Sequence, residues 1–287
     1  MNSADLTARR TILVTGATRG IGRASARRLA KLGERVVLGA RDPGRGAEVA
    51  DRIAAEGGAA EVLPLDLASF ESVRAAAARF AATHASLDVL VHNAGIALRH
   101  REVSRDGHER TWQTNFLGAY LLTALLMPAL RRSPKPRVVS VSSEAHAMGR
   151  IDWDDLELRS LYDGFRAYAN SKLAQLLFTR ELARREPGVA ANAVHPGAVV
   201  TRVWRDRPRL PVRAMVHSIA WLAGTGLPTP SRGAAPVVRL ATGSGLDGVT
   251  GRYFRRFREV DPSPAARDDT AAARLWELAA KQTGLES

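Results

Sequence analysis

Tyr168 and Lys172 lie four residues apart in Tyr168-Ala169-Asn170-Ser171-Lys172, a spacing that puts both side chains on one face of a helix. A phenol ordinarily ionises near pH ~10. A neighbouring ammonium favours the phenolate and draws that value toward neutrality, so the pair could exchange a proton as general acid and base. Tyrosine and lysine at this spacing also occur in helices that do no chemistry, so the pair needs company to mean anything. Tyr162 and Tyr253 have no lysine four residues on.

The second group with chemical content is Thr15-Gly16-Ala17-Thr18-Arg19-Gly20-Ile21-Gly22. Glycines permit positive φ and close backbone approach, and the helix that follows offers N–H groups to a diphosphate. The Gly16, Gly20, Gly22 spacing differs from GxGxxG. The chain has no cysteine, which excludes disulfides and thiolate metal sites. Its histidines show no metal-ligand spacing, and no metal is expected. There is no serine-hydrolase elbow, and His195 beside Pro196 reads as a loop residue rather than as part of a triad.

These groups must be held by something, and the pattern around them alternates. Strand-like runs cover Thr11–Thr15, Arg35–Ala40, Glu61–Leu65, Asp88–His92, Arg137–Ser142 and Ala190–His195. Helical spacing covers Ile21–Leu32, Gly44–Glu56, Ser69–His84, Gly107–Leu130 and Phe165–Arg185. Val-, Leu- and Ile-rich strands separated by helices predict an α/β fold. The expected form is one Rossmann-type domain over 1–287, a doubly wound parallel sheet with helices on both faces. Such sheets bind ligands at the carboxyl ends of their strands, where the glycine turn falls. An irregular stretch at about 197–230, rich in Pro, Arg and Trp, predicts an insertion that folds over the substrate.

The glycine turn resembles the TGxxxGxG turn of the short-chain dehydrogenase/reductase family, in its non-extended branch. Asn93-Ala94-Gly95 is similar to the family's NAG motif, and Trp112-Gln113-Thr114-Asn115-Phe116-Leu117-Gly118 to its catalytic-asparagine segment. Ser143 closes Val141-Ser142-Ser143, Tyr168 to Lys172 matches YxxxK, and Pro196-Gly197 with Thr201 matches PGxxxT. The motifs stand in family order over about Thr11 to Thr201.

The resemblance implies a nicotinamide-dependent oxidoreductase in which Tyr168 passes a proton to the substrate oxygen as hydride arrives. Lys172 would hold the nicotinamide ribose and lower the pKa of Tyr168, and Ser143 would hydrogen-bond the substrate oxygen. Asn115 would hold a water linking Lys172 to solvent. Ser142 competes with Ser143 for the serine role. Gly16, Thr18, Arg19, Gly20, Ile21, Gly22, Asn93, Ala94, Gly95, Pro196, Gly197 and Thr201 would contact the cofactor. So would Asp66 and Leu67 near the adenine, although Asp66 reads equally as a helix N-cap.

The second strand ends Leu38-Gly39-Ala40-Arg41. An acidic residue there would favour NAD and repel a 2′-phosphate. Ala40 stands there instead, followed by Arg41, with Arg19 as a second cation. NADPH/NADP+ is therefore expected over NADH, though a one-residue change of register would bring Asp42 to the ribose.

The segment Glu144 to Glu157, with Ser171 to Ala174 and Leu177 to Ala183, is similar to the retinol dehydrogenase and protochlorophyllide reductase branch. That likeness implies a bulky lipophilic carbonyl or alcohol, with His146, Met148, Trp204 and Trp221 as candidate pocket walls. A catalytically silent NADPH sensor or scaffold of the same fold is the alternative, disfavoured by an intact Asn115, Ser143, Tyr168 and Lys172 set. Family helices carrying Asn115 and Tyr168 often form homodimers or homotetramers.

The formal net charge is +13, from 42 Lys+Arg against 29 Asp+Glu, but the arginines are scattered and no nucleic-acid motif accompanies them. No nucleic-acid partner is expected. Met1–Arg10 is short and polar, and the longest apolar run, Leu121–Leu130, is too short to span a bilayer. A soluble cytoplasmic protein without a membrane partner is the expectation.

Overall fold

Along the first strand, β1 (Thr11–Thr15), Ile12 and Val14 point to one side of the sheet and Leu13 to the other, and all three are buried. A strand apolar on both faces must be covered on both. The computed structural model, which describes residues 9–197 and 229–285, shows that arrangement. After β1 come α1 (Gly20–Lys31), β2 (Arg35–Ala40), α2 (Pro43–Ala55), β3 (Ala59–Pro64), α3 (Phe70–Thr83) and β4 (Val89–His92). The second half continues with α4 (Arg110–Trp112), a π turn (Gln113–Leu117), α5 (Gly118–Arg131), β5 (Arg137–Val141), α6 (Gly164–Arg185) and β6 (Ala190–His195). Then follow α7 (Pro230–Thr242), β7 (Tyr253–Arg255), β8 (Arg258–Glu259) and α8 (Asp269–Gln282).

The strands form one sheet in the order β3-β2-β1-β4-β5-β6-β7-β8. Neighbours from β3 to β7 pair in parallel, and β8 turns back antiparallel on β7. The chain winds outward from β1 in one direction and then from β4 in the other, which is the doubly wound Rossmann arrangement. The crevice between β1 and β4 is its topological switch point. One core joins Leu13, Val37, Leu90 and Val138 to Phe80 of α3, Leu121 of α5 and Leu177 of α6. The other joins Ile12, Val14, Val36 and Val139 to Leu29 of α1, Ile53 of α2 and Val237 of α7. Each fully buried large apolar side chain contributes ~1.5–3 kcal/mol. Among the described residues, no helix is long and apolar enough to cross a membrane.

Most expected elements sit within two residues of their observed ends. One differs in kind. The helix expected over Gly107–Leu130 begins at Arg110, because the Glu109 carboxylate accepts from the backbone N–H of Thr111 at 2.9 Å and of Trp112 at 2.7 Å. It is then interrupted by the π turn. Four further elements, α7, β7, β8 and α8, were not among those expected. The last two strands are only three and two residues long, too short to show a period.

His92 ends β4 and is buried against the Thr123 hydroxyl of α5, 2.7 Å from Nε2. Thr123 gives its one proton to the Ala119 carbonyl at 2.8 Å, so His92 donates from Nε2 and is neutral. Burial pulls its pKa down to about 3. An unfolded histidine takes up a proton below pH ~6.5. The folded one does not until about pH 3, so stability is progressively lost as pH falls through that window. The loss from this residue reaches at most ~2 kcal/mol by pH ~5. Thermal denaturation between pH 6.5 and 5 should therefore show a shallower decline for His92→Leu than for the parent. Parallel curves would contradict the assignment.

Candidate active site

Parallel strands present all their carboxyl ends on one edge, so the residues after β1, β4, β5 and β6 become neighbours there. After β1 comes the glycine turn, with Gly16 at φ +66° and Gly20 at φ +56°. Its first amides are tied down, since the N–H groups of Gly16 and Ala17 both donate to the Gly39 carbonyl, at 3.0 and 3.4 Å. After β4 comes Asn93, whose Nδ2 donates to the Thr15 carbonyl at 2.9 Å and the Gly16 carbonyl at 3.3 Å. The backbone N–H groups of Asn93 and Ala94 both donate to Thr15 Oγ1 at 3.0 Å. Asn93 and Ala94 thus brace the turn from behind.

The turn fits a dinucleotide diphosphate on two observations. A Cβ on Gly22 would collide with Asn93 Nδ2 and the Gly16 carbonyl, and one on Gly16 would lie 2.9 Å from Ala94 Cα. The backbone is therefore as close-set as glycine allows. In addition, no side chain caps α1. Asp42, Ser69, Asp163, Thr229 and Asp268 cap α2, α3, α6, α7 and α8. The first turn of α1, with Thr18, Arg19, Gly20 and Ile21 leading into Gly22, is thus shaped to meet an anion.

After β5 the two serines separate. Ser142 is buried and turns its hydroxyl to the Lys172 carbonyl, at 3.4 Å. Ser143 accepts from the Ala145 N–H at 3.2 Å and hydrogen-bonds the Tyr168 hydroxyl. Of the two serines, Ser143 is the one beside the Tyr168 hydroxyl. Tyr168 lies on the first turns of α6 and Lys172 one turn further, with Nζ 5.6 Å from the phenol centroid.

Burial dominates both ionisations. It pushes the Tyr168 phenol up, with the Ser143 hydrogen bond opposing it, and pulls the Lys172 ammonium down to about 7. The expected lowering of the phenol by Lys172 is therefore not what this geometry produces: burial raises it, and the contact that opposes burial comes from Ser143.

Asn115 sits within the π turn, a local widening that frees backbone groups and often marks functional sites. Its side chain is fully used: Oδ1 accepts from Ile96 N–H at 2.8 Å, and Nδ2 donates to the Ile96 carbonyl and to Ser171 Oγ, both at 2.9 Å. Its backbone carbonyl accepts from Gln175 Nε2 at 2.8 Å. A side-chain amide of α6 thus reaches the backbone carbonyl of Asn115, the residue expected to hold a water linking Lys172 to solvent. Gly95 passes nearby, and a Cβ there would lie 3.4 Å from Lys172 Nζ. The sequence reading missed Gln175 altogether. Three residues beyond Lys172 and seven beyond Tyr168, it shares their helix face, and extending that face by one turn would have found it.

At the end of β2, Ala40 is buried opposite Pro64 and Arg41 is exposed. Asp42 is committed elsewhere, capping α2 through the Arg45 N–H at 3.1 Å and pairing with Arg45 Nε at 3.2 Å. Asp66 Oδ1 accepts from Ala68 N–H at 3.0 Å. It closes a short turn but does not cap α3, where Ser69 does so. Leu67 is buried, and its carbonyl lies where a Cβ on Gly118 would go.

His146 is turned inward. Nδ1 lies 2.7 Å from the Ser143 carbonyl, and Nε2 accepts from the Ser263 N–H at 3.2 Å. Those bonds make it a brace between the serine loop and the C-terminal region, in place of the open pocket wall expected. Met148 is 65% exposed. Pro196 and Gly197, the latter at φ +94°, follow β6 on the same edge. Thr201, Trp204, Trp221 and nearly all of the insertion at 197–230 lie outside the described residues.

A doubly wound sheet with a glycine cradle at its switch point and a Ser-Tyr-Lys set on the same edge defines an oxidoreductase site for a nicotinamide dinucleotide. The family described as short chain dehydrogenase matches residues 10–209, and the chain belongs to it. It is 43% identical to polyprenol dehydrogenase of Mus musculus, over 96% of this chain and 84% of that protein. It is 38% identical to retinol dehydrogenase 14 of Homo sapiens, over 96% and 87%. Among solved structures, an uncharacterised protein from Mycobacterium Paratuberculosis is 36% identical with a TM-score of 0.79, covering 100% of this chain and 98% of that one. A protein from Beutenbergia cavernae with bound NADP, described as an NAD(P) dependent gluconate 5-dehydrogenase, is 33% identical with a TM-score of 0.69, over 86% and 94%. The chain falls in the retinol dehydrogenase-like subgroup. It is an NAD(P)-dependent oxidoreductase acting on CH–OH and C=O groups of a small molecule.

Proposed function

We propose that the protein is an NADPH-dependent reductase of lipophilic aldehydes or ketones, also able to oxidise the matching alcohols, with Tyr168 as general acid and base. The observation that carries this reading is the Ser143–Tyr168 hydrogen bond with Lys172 one helical turn behind it, on the sheet edge that holds the glycine cradle. The cofactor, when bound, supplies or accepts the hydride. Tyr168 then gives its proton to the oxygen that becomes the alcohol, and Ser143 holds that oxygen while charge builds on it. Lys172 and the Thr18 to Gly22 turn hold the cofactor, and Asn115 fixes the approach of the Ile96 segment to α6.

Two relatives are named for polyprenol and for retinol, both lipophilic alcohols, which supports a substrate of that kind. Purified protein should oxidise NADPH, read at the nicotinamide absorbance band, with members of a lipophilic aldehyde and ketone panel. NADPH binding without turnover of any of them would favour the sensor or scaffold reading.

The proposed preference for NADPH rests on Ala40 in place of a carboxylate at the end of β2, with exposed Arg41 next to it and Arg19 in the glycine turn. A charge-assisted hydrogen bond to phosphate contributes ~1.5–3 kcal/mol. Arg41→Ala should thus lower the ratio of kcat/KM for NADPH over NADH by about 10–100-fold. An unchanged ratio would remove Arg41 from cofactor selection.

A further inference from the structure

We infer that Gln175 is a positioning residue for Lys172, its side-chain amide tying the lysine amine directly to the backbone carbonyl of Asn115. The inference rests on the reading of Lys172 as the partner of Tyr168 and adds the residue that holds it in place. Gln175 is 2% exposed. Its Oε1 accepts from Lys172 Nζ at 2.9 Å and its Nε2 donates to the Asn115 carbonyl at 2.8 Å. Lys172 Nζ also donates to the Val141 carbonyl at 3.0 Å.

The orientation of the amide follows from chemistry. A backbone carbonyl only accepts, so the NH2 end must face Asn115, which leaves Oε1 for the lysine. The π turn is the second part of the device, since it releases the Asn115 carbonyl to a side chain on another helix. The same amide therefore fixes two elements of the site, α6 and the π turn.

Both acceptors of Lys172 are uncharged. Among the described residues the titratable group facing it is Tyr168 on the same helix; β5 presents the Val141 carbonyl, and the Asn115 carbonyl of the π turn is taken by Gln175 Nε2. Only burial shifts its ionisation, to about 7. Gln175 thus locates the amine with a dipole and no counter-charge, so Lys172 stays able to titrate near neutral pH. A carboxylate at this position would favour the ammonium and move its titration to higher pH.

The chain contains four lysines, Lys31, Lys135, Lys172 and Lys281, so full-length protein labelled with [13Cε]lysine gives a spectrum simple enough to titrate each one. Lys172 in Gln175→Glu should titrate at least about one pH unit above the parent, since a carboxylate beside the amine stabilises its charged form. In Gln175→Leu its midpoint should fall, and kcat for carbonyl reduction should drop about tenfold with KM for the carbonyl little changed. The isosteric Glu variant keeps the test available if the Leu variant fails to fold. A Lys172 midpoint within about 0.3 unit of the parent in folded Gln175→Glu would overturn the proposal. Turnover that survives Tyr168→Phe would instead sink the Tyr168–Lys172 mechanism while leaving the titration result to judge the contact itself.

Discussion

Tyr168→Phe should lower kcat for carbonyl reduction by about a thousandfold or more while the dissociation constant for NADPH stays within about threefold. The substitution removes one oxygen from a half-buried ring and leaves the ring's packing intact. That oxygen carries the proton the product alcohol needs, and it is also the partner of Ser143. General acid catalysis contributes ~10²–10⁴-fold, and a lost donor at a developing oxyanion adds to this.

The direction of the pH dependence follows from the same group. Burial pushes the Tyr168 phenol up, so the protonated form that reduction needs persists through neutral pH, and reduction should decline only on the alkaline side. Alcohol oxidation needs the phenolate and should rise with pH over the same range. Stopped-flow absorbance for the reduction step and tryptophan quenching for cofactor affinity measure the two quantities separately. Retention of more than a tenth of parental kcat would exclude Tyr168 as the acid.

The second large effect is expected at Gly22, where Gly22→Ala should weaken NADPH binding by about 100-fold or more. A methyl group there would overlap Asn93 Nδ2 and the Gly16 carbonyl. Neither neighbour can yield cheaply, because Gly16 is backbone and Asn93 is held by the Thr15 and Gly16 carbonyl groups. The turn must open, which costs ~1–3 kcal/mol as overpacking and moves the amides that would meet the diphosphate. Gly188 supplies the control, since nothing lies within 4 Å of a Cβ placed there, and Gly188→Ala should shift stability by no more than ~0.5 kcal/mol. Titration of both variants with NADPH, alongside thermal denaturation, separates loss of the cradle from loss of the fold. Parental affinity in Gly22→Ala would mean that the turn does not bind the diphosphate.

Features that repeat at a fixed interval along one element were readable from the residues alone. The two-residue alternation of Ile12, Leu13 and Val14 announces a strand buried on both sides. The four-residue step from Tyr168 to Lys172 announces a shared helix face. The caps were not readable in that way: Asp66 was the expected N-cap, whereas Ser69 caps α3 and Asp163 caps α6. Short elements escaped for the converse reason: β7 and β8 borrow their register from β6 and from each other, and their own residues carry no period.

At the site, the chain by itself determined which side chains exist to do chemistry, in what order, and on which helix or turn. Tertiary structure decided what each of them faces. Ser142 and Ser143 are adjacent and identical in type, and only the packing of β5 against α6 sends one to the Lys172 carbonyl and the other to the Tyr168 hydroxyl. His146 looked like a pocket wall until Ser263, far along the chain, was found donating to its ring. Gln175 gained its role only when the π turn brought the Asn115 carbonyl to it from 60 residues away. The physical reason is common to all three. Periodicity specifies the face on which a residue lies, whereas its hydrogen-bond partners, and the water it loses on burial, depend on which other element the sheet order places against that face.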